Sequence, residues 1–135
     1  MKLLRYISVI AILLMTCACT RNDGNIGYLF GQWKLVSMTT DGVDIPNYKG
    51  NVYWSFQNTT IEMKVVIETG EVYQTFGNFK EMDNTLFLNF PDEDFPPRPI
   101  TGLPRECELQ VIKLTGGEMI LSYGDPATIY TFRKW

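Results

Sequence analysis

Residues 61–68 read Ile-Glu-Met-Lys-Val-Val-Ile-Glu, and this run shows most clearly how the chain folds. Apolar residues occupy its odd positions and mostly polar residues occupy its even positions. A period of two is typical of a β-strand with one buried face. Turn-forming pairs enclose the run, Asn-Thr at 58–59 and Thr-Gly at 69–70. The segment is therefore predicted to be a strand between two tight turns.

The same rhythm extends over the rest of the chain. Eight strands are predicted, at 31–40, 51–57, 60–68, 71–80, 84–90, 105–114, 118–123 and 128–134. No segment has convincing helical periodicity. Six of the seven links are about two to ten residues long, as hairpins between sequential neighbours require. A Greek-key sandwich would need more long crossovers than the single link 91–104. The prediction is an all-β fold, an eight-stranded antiparallel up-and-down β-barrel.

The links also predict two unlike ends. In an up-and-down barrel alternate links lie at the same end. Both long links, 41–50 and 91–104, therefore lie at one end, and the links at the other end, 58–59, 81–83 and 115–117, are all tight. One end should therefore be a closed base and the other an elaborated mouth. On the first strand, Ser37 and Thr39 follow Trp33 and Leu35 at a period of two. This drift towards small polar residues predicts a cavity that opens at the mouth.

The N-terminus carries an export signal. Lys2 and Arg5 precede an uncharged apolar run, too short to span a bilayer, that ends at cysteine. The pattern resembles a bacterial lipoprotein signal, in which the cysteine is lipidated. Cys19 is the preferred site and Cys17 is the alternative. An ordinary signal peptide with incidental cysteines is the less favoured interpretation. The predicted organisation is a signal peptide at 1–18, lipidated Cys19 with a tether at 19–27, and a barrel at 28–135.

Composition narrows the function classes. Removal of Lys2 and Arg5 with the signal takes the net charge from −3 to −5, which does not favour nucleic acid. The chain has no histidine, the commonest general base and metal ligand. The acidic run at 92–94 lacks the spacing of a calcium loop. No catalytic residue, metal or cofactor is therefore predicted. Cys107 is expected to be a buried small hydrophobe.

Two motifs resemble the lipocalin (calycin) pattern. Gly31-Gln32-Trp33 opens the first strand and Arg133 lies in the last. The chain as a whole resembles the small lipocalin-like lipoproteins of Bacteroidetes. The resemblance implies that Trp33 plugs the closed base, with Gly31 beside it and Arg133 lying across the indole. The chain stops before the helix that follows the barrel in larger lipocalins.

An eight-stranded barrel either fills with side chains or holds one small ligand. The candidate ligand-binding residues are Ser37, Thr39, Trp54, Phe56 and Phe90, although an aromatic row at strand spacing is more often core. The predicted function is non-enzymatic binding of a small apolar or amphipathic molecule by a protein anchored to the membrane through lipid. The expected location is the outer membrane of the cell envelope, on its periplasmic face. A filled barrel that serves as a protein-interaction module is the alternative, and the sequence identifies no protein partner.

Overall fold

The structure is a computed structural model that describes residues 27–44 and 50–135. Its strands are β1 (Gly31–Thr40), β2 (Val43–Asp44), β3 (Val52–Gln57), β4 (Thr60–Val66), β5 (Val72–Met82), β6 (Thr85–Asn89), β7 (Glu106–Leu114), β8 (Glu118–Tyr123) and β9 (Thr128–Lys134). One helical turn, α1 (Arg98–Thr101), lies between β6 and β7. The predicted signal peptide, Cys19 and the tether up to residue 26 lie outside the described residues.

The strands close into a barrel. From β3 to β9 each strand pairs antiparallel with the next, and β1 pairs with both β3 and β9. Strand β2 only adds two residues beside the end of β1. The described residues thus form a closed eight-stranded antiparallel up-and-down β-barrel, which confirms the predicted fold. The eight predicted strands match the observed ones to within two residues at each end.

Two elements were not predicted. Strand β2 has two residues, too few to show any periodicity. The turn α1 begins after Pro97, has Pro99 in its first turn and ends at Gly102, which has a left-handed φ of 75°. Proline suits a first helical turn and glycine suits a left-handed cap, so these residues favour one turn and no more. A helix this short carries no repeating pattern that a sequence could reveal.

A continuous apolar core lies inside the sheet. Apolar side chains from the inner faces of the strands are almost fully buried, including Trp33, Trp54, Phe56, Met63, Leu88, Phe90, Leu109 and Phe132. Residues outside the strands join the same cluster: Leu29 before β1, and Ile100 and Leu103 between β6 and β7. The core therefore extends beyond the sheet at both ends.

Candidate functional site

The base of the barrel is closed around Trp33. This side chain is fully buried, and its Nε1 donates a hydrogen bond to the Leu29 carbonyl at 2.7 Å. The Nζ of Lys134 lies 4.3 Å from the centroid of the Trp33 ring. The same ammonium donates hydrogen bonds to the carbonyls of Tyr28, at 3.1 Å, and Phe30. Burial lowers the pKa of Lys134 from its usual value. One cation thus joins the last strand, the indole and the chain that precedes β1.

Gly31 is required beside this cation. Its φ is 112°, in the region that favours glycine, and a Cβ there would lie 3.0 Å from both Cε and Nζ of Lys134. A side chain at position 31 would strain the backbone and displace the ammonium. The spacing Gly31-Gln32-Trp33 therefore has a local cause, since the glycine leaves room for the cation that covers the tryptophan two residues later.

The predicted contact of Arg133 with Trp33 is wrong. Arg133 is exposed on the outer face of β9, whereas Tyr130 and Phe132 point into the core. Side chains alternate along a strand, so the residue that shares the inner face with Phe132 at the base is Lys134. The interaction between a cation and Trp33 exists, but the neighbouring residue makes it.

The placement of Ser37 and Thr39 in a cavity is also wrong. The pairing of β1 with β9 shifts between Leu35 and Ser37, which marks a β-bulge at Val36. Beyond the bulge Met38 pairs with inward-facing Tyr130 and is buried, and Ser37 pairs with Thr131 on the other face. One extra residue reverses the faces of all that follow. Ser37 and Thr39 therefore lie on the outer side and do not line the interior.

The aromatic candidates lie in the interior. Trp54, Phe56 and Phe90 are each at most 1% exposed. The Trp54 ring contacts Phe132, with ring centroids 4.7 Å apart, and Tyr130, at 6.2 Å. Phe90 rests against Gly77, where a Cβ would lie 2.5 Å from the Asn89 carbonyl oxygen. The three candidate rings are part of the buried core, and of these three side chains only Trp54 has a polar atom.

The segment 91–104 covers the mouth. Ile100 and Leu103 are buried in the core, and the Tyr130 hydroxyl donates a hydrogen bond to the Thr101 carbonyl at 2.8 Å. Arg105 holds the start of this segment, because its guanidinium donates to the Phe90 and Pro91 carbonyls and pairs with Glu93 at 3.2 Å. The long link predicted to elaborate an open mouth therefore packs over it.

Two buried polar atoms in the interior have no hydrogen-bond partner. They are Nε1 of Trp54, whose residue is 0% exposed, and Oγ1 of Thr75, whose residue is 2% exposed. Trp54 pairs with Met63 across β3 and β4, and Met63 pairs with Thr75 across β4 and β5. The two residues therefore flank Met63 in one cross-strand row, with their backbones about 10 Å apart.

Thr75 also borders a cleft in the barrel wall. Strand β6 pairs with β5 only from Asn78 onwards, so residues 72–77 pair with β4 alone. Beside this edge lies a cleft of about 390 Å³, lined by Val72, Tyr73, Gln74, Thr75, Phe76, Asp92 and Phe95. The Tyr73 hydroxyl donates a hydrogen bond to the Pro96 carbonyl at 3.0 Å across it. A cleft therefore lies in the wall between β5 and the segment 91–97, with Thr75 in its lining.

The remaining titratable groups near the core are neutral. Burial raises the pKa of the Cys107 thiol to about 12, and burial together with Cys107 and Tyr123 raises the pKa of Tyr130. Cys107 is partly buried and packs against the core. Within residues 27–44 and 50–135, no cluster of acidic or cysteine side chains could hold a metal ion. In the same residues, no helix is long and apolar enough to cross a membrane.

Sequence reasoning missed three participants in these sites. Lys134 shares the parity of Tyr130 and Phe132, which would have placed it on the inner face. Met38 is apolar out of step with Trp33 and Leu35, which signals a bulge. Thr75 has no comparable signal, because an unpartnered hydroxyl is visible only after packing is known.

Comparison with known proteins places this barrel in a family. The model of the lipocalin-like domain family matches residues 13–135, so the chain belongs to that family. No curated protein matches it. The described base, with a buried tryptophan opening β1 and β9 closing on β1, fits this assignment.

Solved structures show the same fold. A lipocalin-like protein from Bacteroides uniformis has a TM-score of 0.69 at 22% identity, over 81% of this chain and 100% of that one. An uncharacterized protein from Bacteroides eggerthii has a TM-score of 0.64 at 22% identity, over 79% and 99%. Japanin from Rhipicephalus appendiculatus, bound to cholesterol, has a TM-score of 0.58 at 12% identity, over 82% and 78%.

Proposed function

We propose that the protein is a non-enzymatic binding protein of the bacterial cell envelope that holds one small apolar or amphipathic molecule in its barrel. The observation that carries this proposal is the pair of buried, unpartnered polar atoms on Trp54 and Thr75. An unsatisfied buried polar group costs about 1–3 kcal/mol, and such groups are rare in folded proteins. A bound molecule with a polar atom at this row would remove that cost.

The fold supports the same proposal. Japanin, a structural neighbour, is described as bound to cholesterol, so a protein of this fold can bind an apolar molecule. Here the surroundings of the two polar atoms are apolar and aromatic, as is usual in small-molecule sites. In such sites a small number of polar groups fixes the orientation of the ligand, and the apolar lining contributes to its affinity.

Dye binding tests the site directly. N-phenylnaphthylamine should bind the purified wild-type protein with increased fluorescence, and extraction of the protein should release a co-purifying small molecule. Thr75→Phe places a ring beside the row and should abolish dye binding. Thr131→Phe, on the outer face, is the matched control and should keep it. Dye binding by Thr75→Phe equal to that of the wild type would contradict the site.

We further propose that Cys19 is lipidated and anchors the protein to the outer membrane, on its periplasmic face. The basic, apolar and cysteine-ended N-terminus supports this, and Thr20 rather than aspartate follows the cysteine. Several acyl chains, at about 0.8 kcal/mol per buried CH₂, would make attachment permanent. Mass spectrometry of the mature N-terminus should find acyl chains on Cys19 and none in Cys19→Ala. Protease shaving of intact cells, with lysed cells as the control, tests the membrane face, since surface exposure would give cleavage without lysis.

The tether would orient the barrel with its base towards the membrane. Residues 20–27 can extend about 30 Å at most, and the chain enters β1 at the base. Cysteines at Gly116, in a base turn, and at Asp94, in the mouth segment, can carry fluorophores in a Cys107→Ser background. Lipid-borne quenchers should then act more strongly at position 116. Stronger quenching at position 94 would reverse the orientation.

A protein-interaction module is the second candidate. The buried Ile100 and Leu103 favour it, because they extend the core over the mouth and leave a firm surface at 91–104. Under this alternative, neither a dye nor a co-purifying molecule would be found, and crosslinking in the envelope would capture a protein partner through the mouth segment.

A further inference from the structure

We infer that the ligand is a neutral, oxygen-bearing apolar molecule and that it reaches the Trp54–Thr75 row through the side of the barrel, between β5 and the segment 91–97. This inference rests on the proposed function and adds a ligand chemistry and a route. It differs from passage through the open end of the barrel.

The unpartnered atoms define the ligand's polar group. The indole Nε1 of Trp54 can only donate a hydrogen bond, and the Thr75 hydroxyl can donate or accept. An alcohol, ether or carbonyl oxygen satisfies either atom. A hydrocarbon would leave both unpartnered, which the burial of these atoms disfavours.

The lining excludes an ionised ligand. In the described part of the chain, the buried residues that are polar or charged are Thr75 and Thr101, both neutral. A carboxylate moved to this row would lose its hydration without gaining a buried cation. Lys134 does lie near one end of this row, since it pairs with Trp33 and Trp33 pairs with Trp54. Its ammonium, however, already contacts the Trp33 ring and donates to two carbonyls. The site therefore selects an alcohol over the corresponding acid.

The route is inferred by comparing the mouth and the side cleft as ways to reach the Trp54–Thr75 row. At the mouth, Ile100 and Leu103 are buried and the Thr101 carbonyl is held by Tyr130. At the side, residues 72–77 of β5 have no β6 partner, and Thr75 belongs both to the inner row and to the cleft lining. Val72, Phe76 and Phe95 are about half exposed around this cleft. An apolar molecule therefore meets a mainly apolar rim beside Thr75, in which Gln74 and Asp92 are the other polar members.

A tyrosine hydroxyl makes a similar hydrogen bond at each of the two possible routes, the side cleft and the mouth. The Tyr73 hydroxyl donates to the Pro96 carbonyl at the side cleft, and the Tyr130 hydroxyl donates to the Thr101 carbonyl at the mouth. Each bond joins a strand to the segment 91–104. Removing one hydroxyl breaks the hydrogen bond at one route and leaves the hydrogen bond at the other route in place. The two Tyr→Phe variants are therefore matched controls for each other.

Titration calorimetry with decanol and decanoate at about pH 8 tests the chemistry, because the acid is ionised there. The wild type should bind decanol at least about tenfold more tightly than decanoate. Thr75→Val should weaken decanol binding about fivefold, the effect of one hydrogen bond, and Thr131→Val on the outer face should leave it unchanged. Equal binding of the two probes, or full affinity in Thr75→Val, overturns the inferred chemistry but leaves the proposed function standing. No binding of either probe overturns both.

Stopped-flow association of decanol tests the route. Tyr73→Phe should raise the association and dissociation rates about fivefold with little change in affinity, and Tyr130→Phe should leave both rates close to those of the wild type. The reverse result, faster exchange in Tyr130→Phe alone, would assign access to the mouth and overturn the side route.

Discussion

The finding that Lys134, and not Arg133, contacts Trp33 can be tested by comparing the stability of variants at these two neighbouring positions. Lys134→Met keeps most of the apolar stem and removes the ammonium that contacts the Trp33 ring and two carbonyls. Arg133→Met removes an exposed cation from the outer face of the same strand. The two variants lose the same charge one position apart, so they separate the contact from the charge.

The magnitude follows from the contacts. Hydrogen bonds to a charged group contribute about 1.5–3 kcal/mol each, and a cation over an indole adds about 0.5–2 kcal/mol. The low ends of these ranges total about 3.5 kcal/mol. Because Lys134 is partly exposed and water can replace it at the carbonyls, the expected loss in the free energy of unfolding is smaller, about 2 kcal/mol. Arg133→Met should stay within about 0.5 kcal/mol of the wild type.

Urea unfolding followed by tryptophan fluorescence provides the assay, with thermal melting as a second measurement. Lys134→Met should melt about 8 °C below the wild type, at about 4 °C per kcal/mol. Lys134→Arg should recover part of the loss. If Arg133→Met proved as destabilising as Lys134→Met, the assignment of the cation over Trp33 would be refuted.

Three further outcomes are expected. Trp33→Ala should lose about 3–5 kcal/mol by leaving a cavity at the base, and Trp33→Phe should lose less; a wild-type melting temperature for Trp33→Ala would remove its role as the plug. Gly77→Ala should lose about 1–3 kcal/mol by driving a methyl group into the Asn89 carbonyl, whereas Gly116→Ala, with ordinary contacts only, should melt with the wild type. The folded pKa of Cys107 is raised from 9.0 to about 12, so the unfolded thiol ionises first and stability should fall as pH rises between these values. Urea midpoints at about pH 8 and about pH 11 should show a smaller fall for Cys107→Ala, and an equal fall would contradict the shift.

The sequence predicts the barrel well because the fold depends on the alternation of apolar and polar residues, and this alternation is visible within each strand. The run 61–68 or the pairs of turn residues need no knowledge of the rest of the chain. The base is predicted in part, since Gly31 and Trp33 lie in one short motif. The resemblance assigns the cation at the base to Arg133, one residue away from Lys134, and this difference of one residue places it on the wrong face of β9.

The candidate site could not be predicted to the same degree. The bulge at Val36 depends on how β1 pairs with β9, which reverses Ser37 and Thr39 without any change in their chemistry. The gap beside residues 72–77 arises because β5 is longer than β6, a property of two strands together. The unpartnered atoms of Trp54 and Thr75 depend on every neighbour around them.

The closure of β1 on β9 has a mechanical consequence. Gly31 and Lys134 lie at the same end of neighbouring antiparallel strands, so the chain enters and leaves the barrel side by side. A force that pulls the chain before β1 away from a fusion at Trp135 would break the β1–β9 hydrogen bonds one after another instead of loading them all together. The first bonds under load would be those of Lys134 to Tyr28 and Phe30, together with that of the Trp135 amide to the Gln32 carbonyl. The same ammonium that covers Trp33 therefore also holds the chain before β1 to the end of β9.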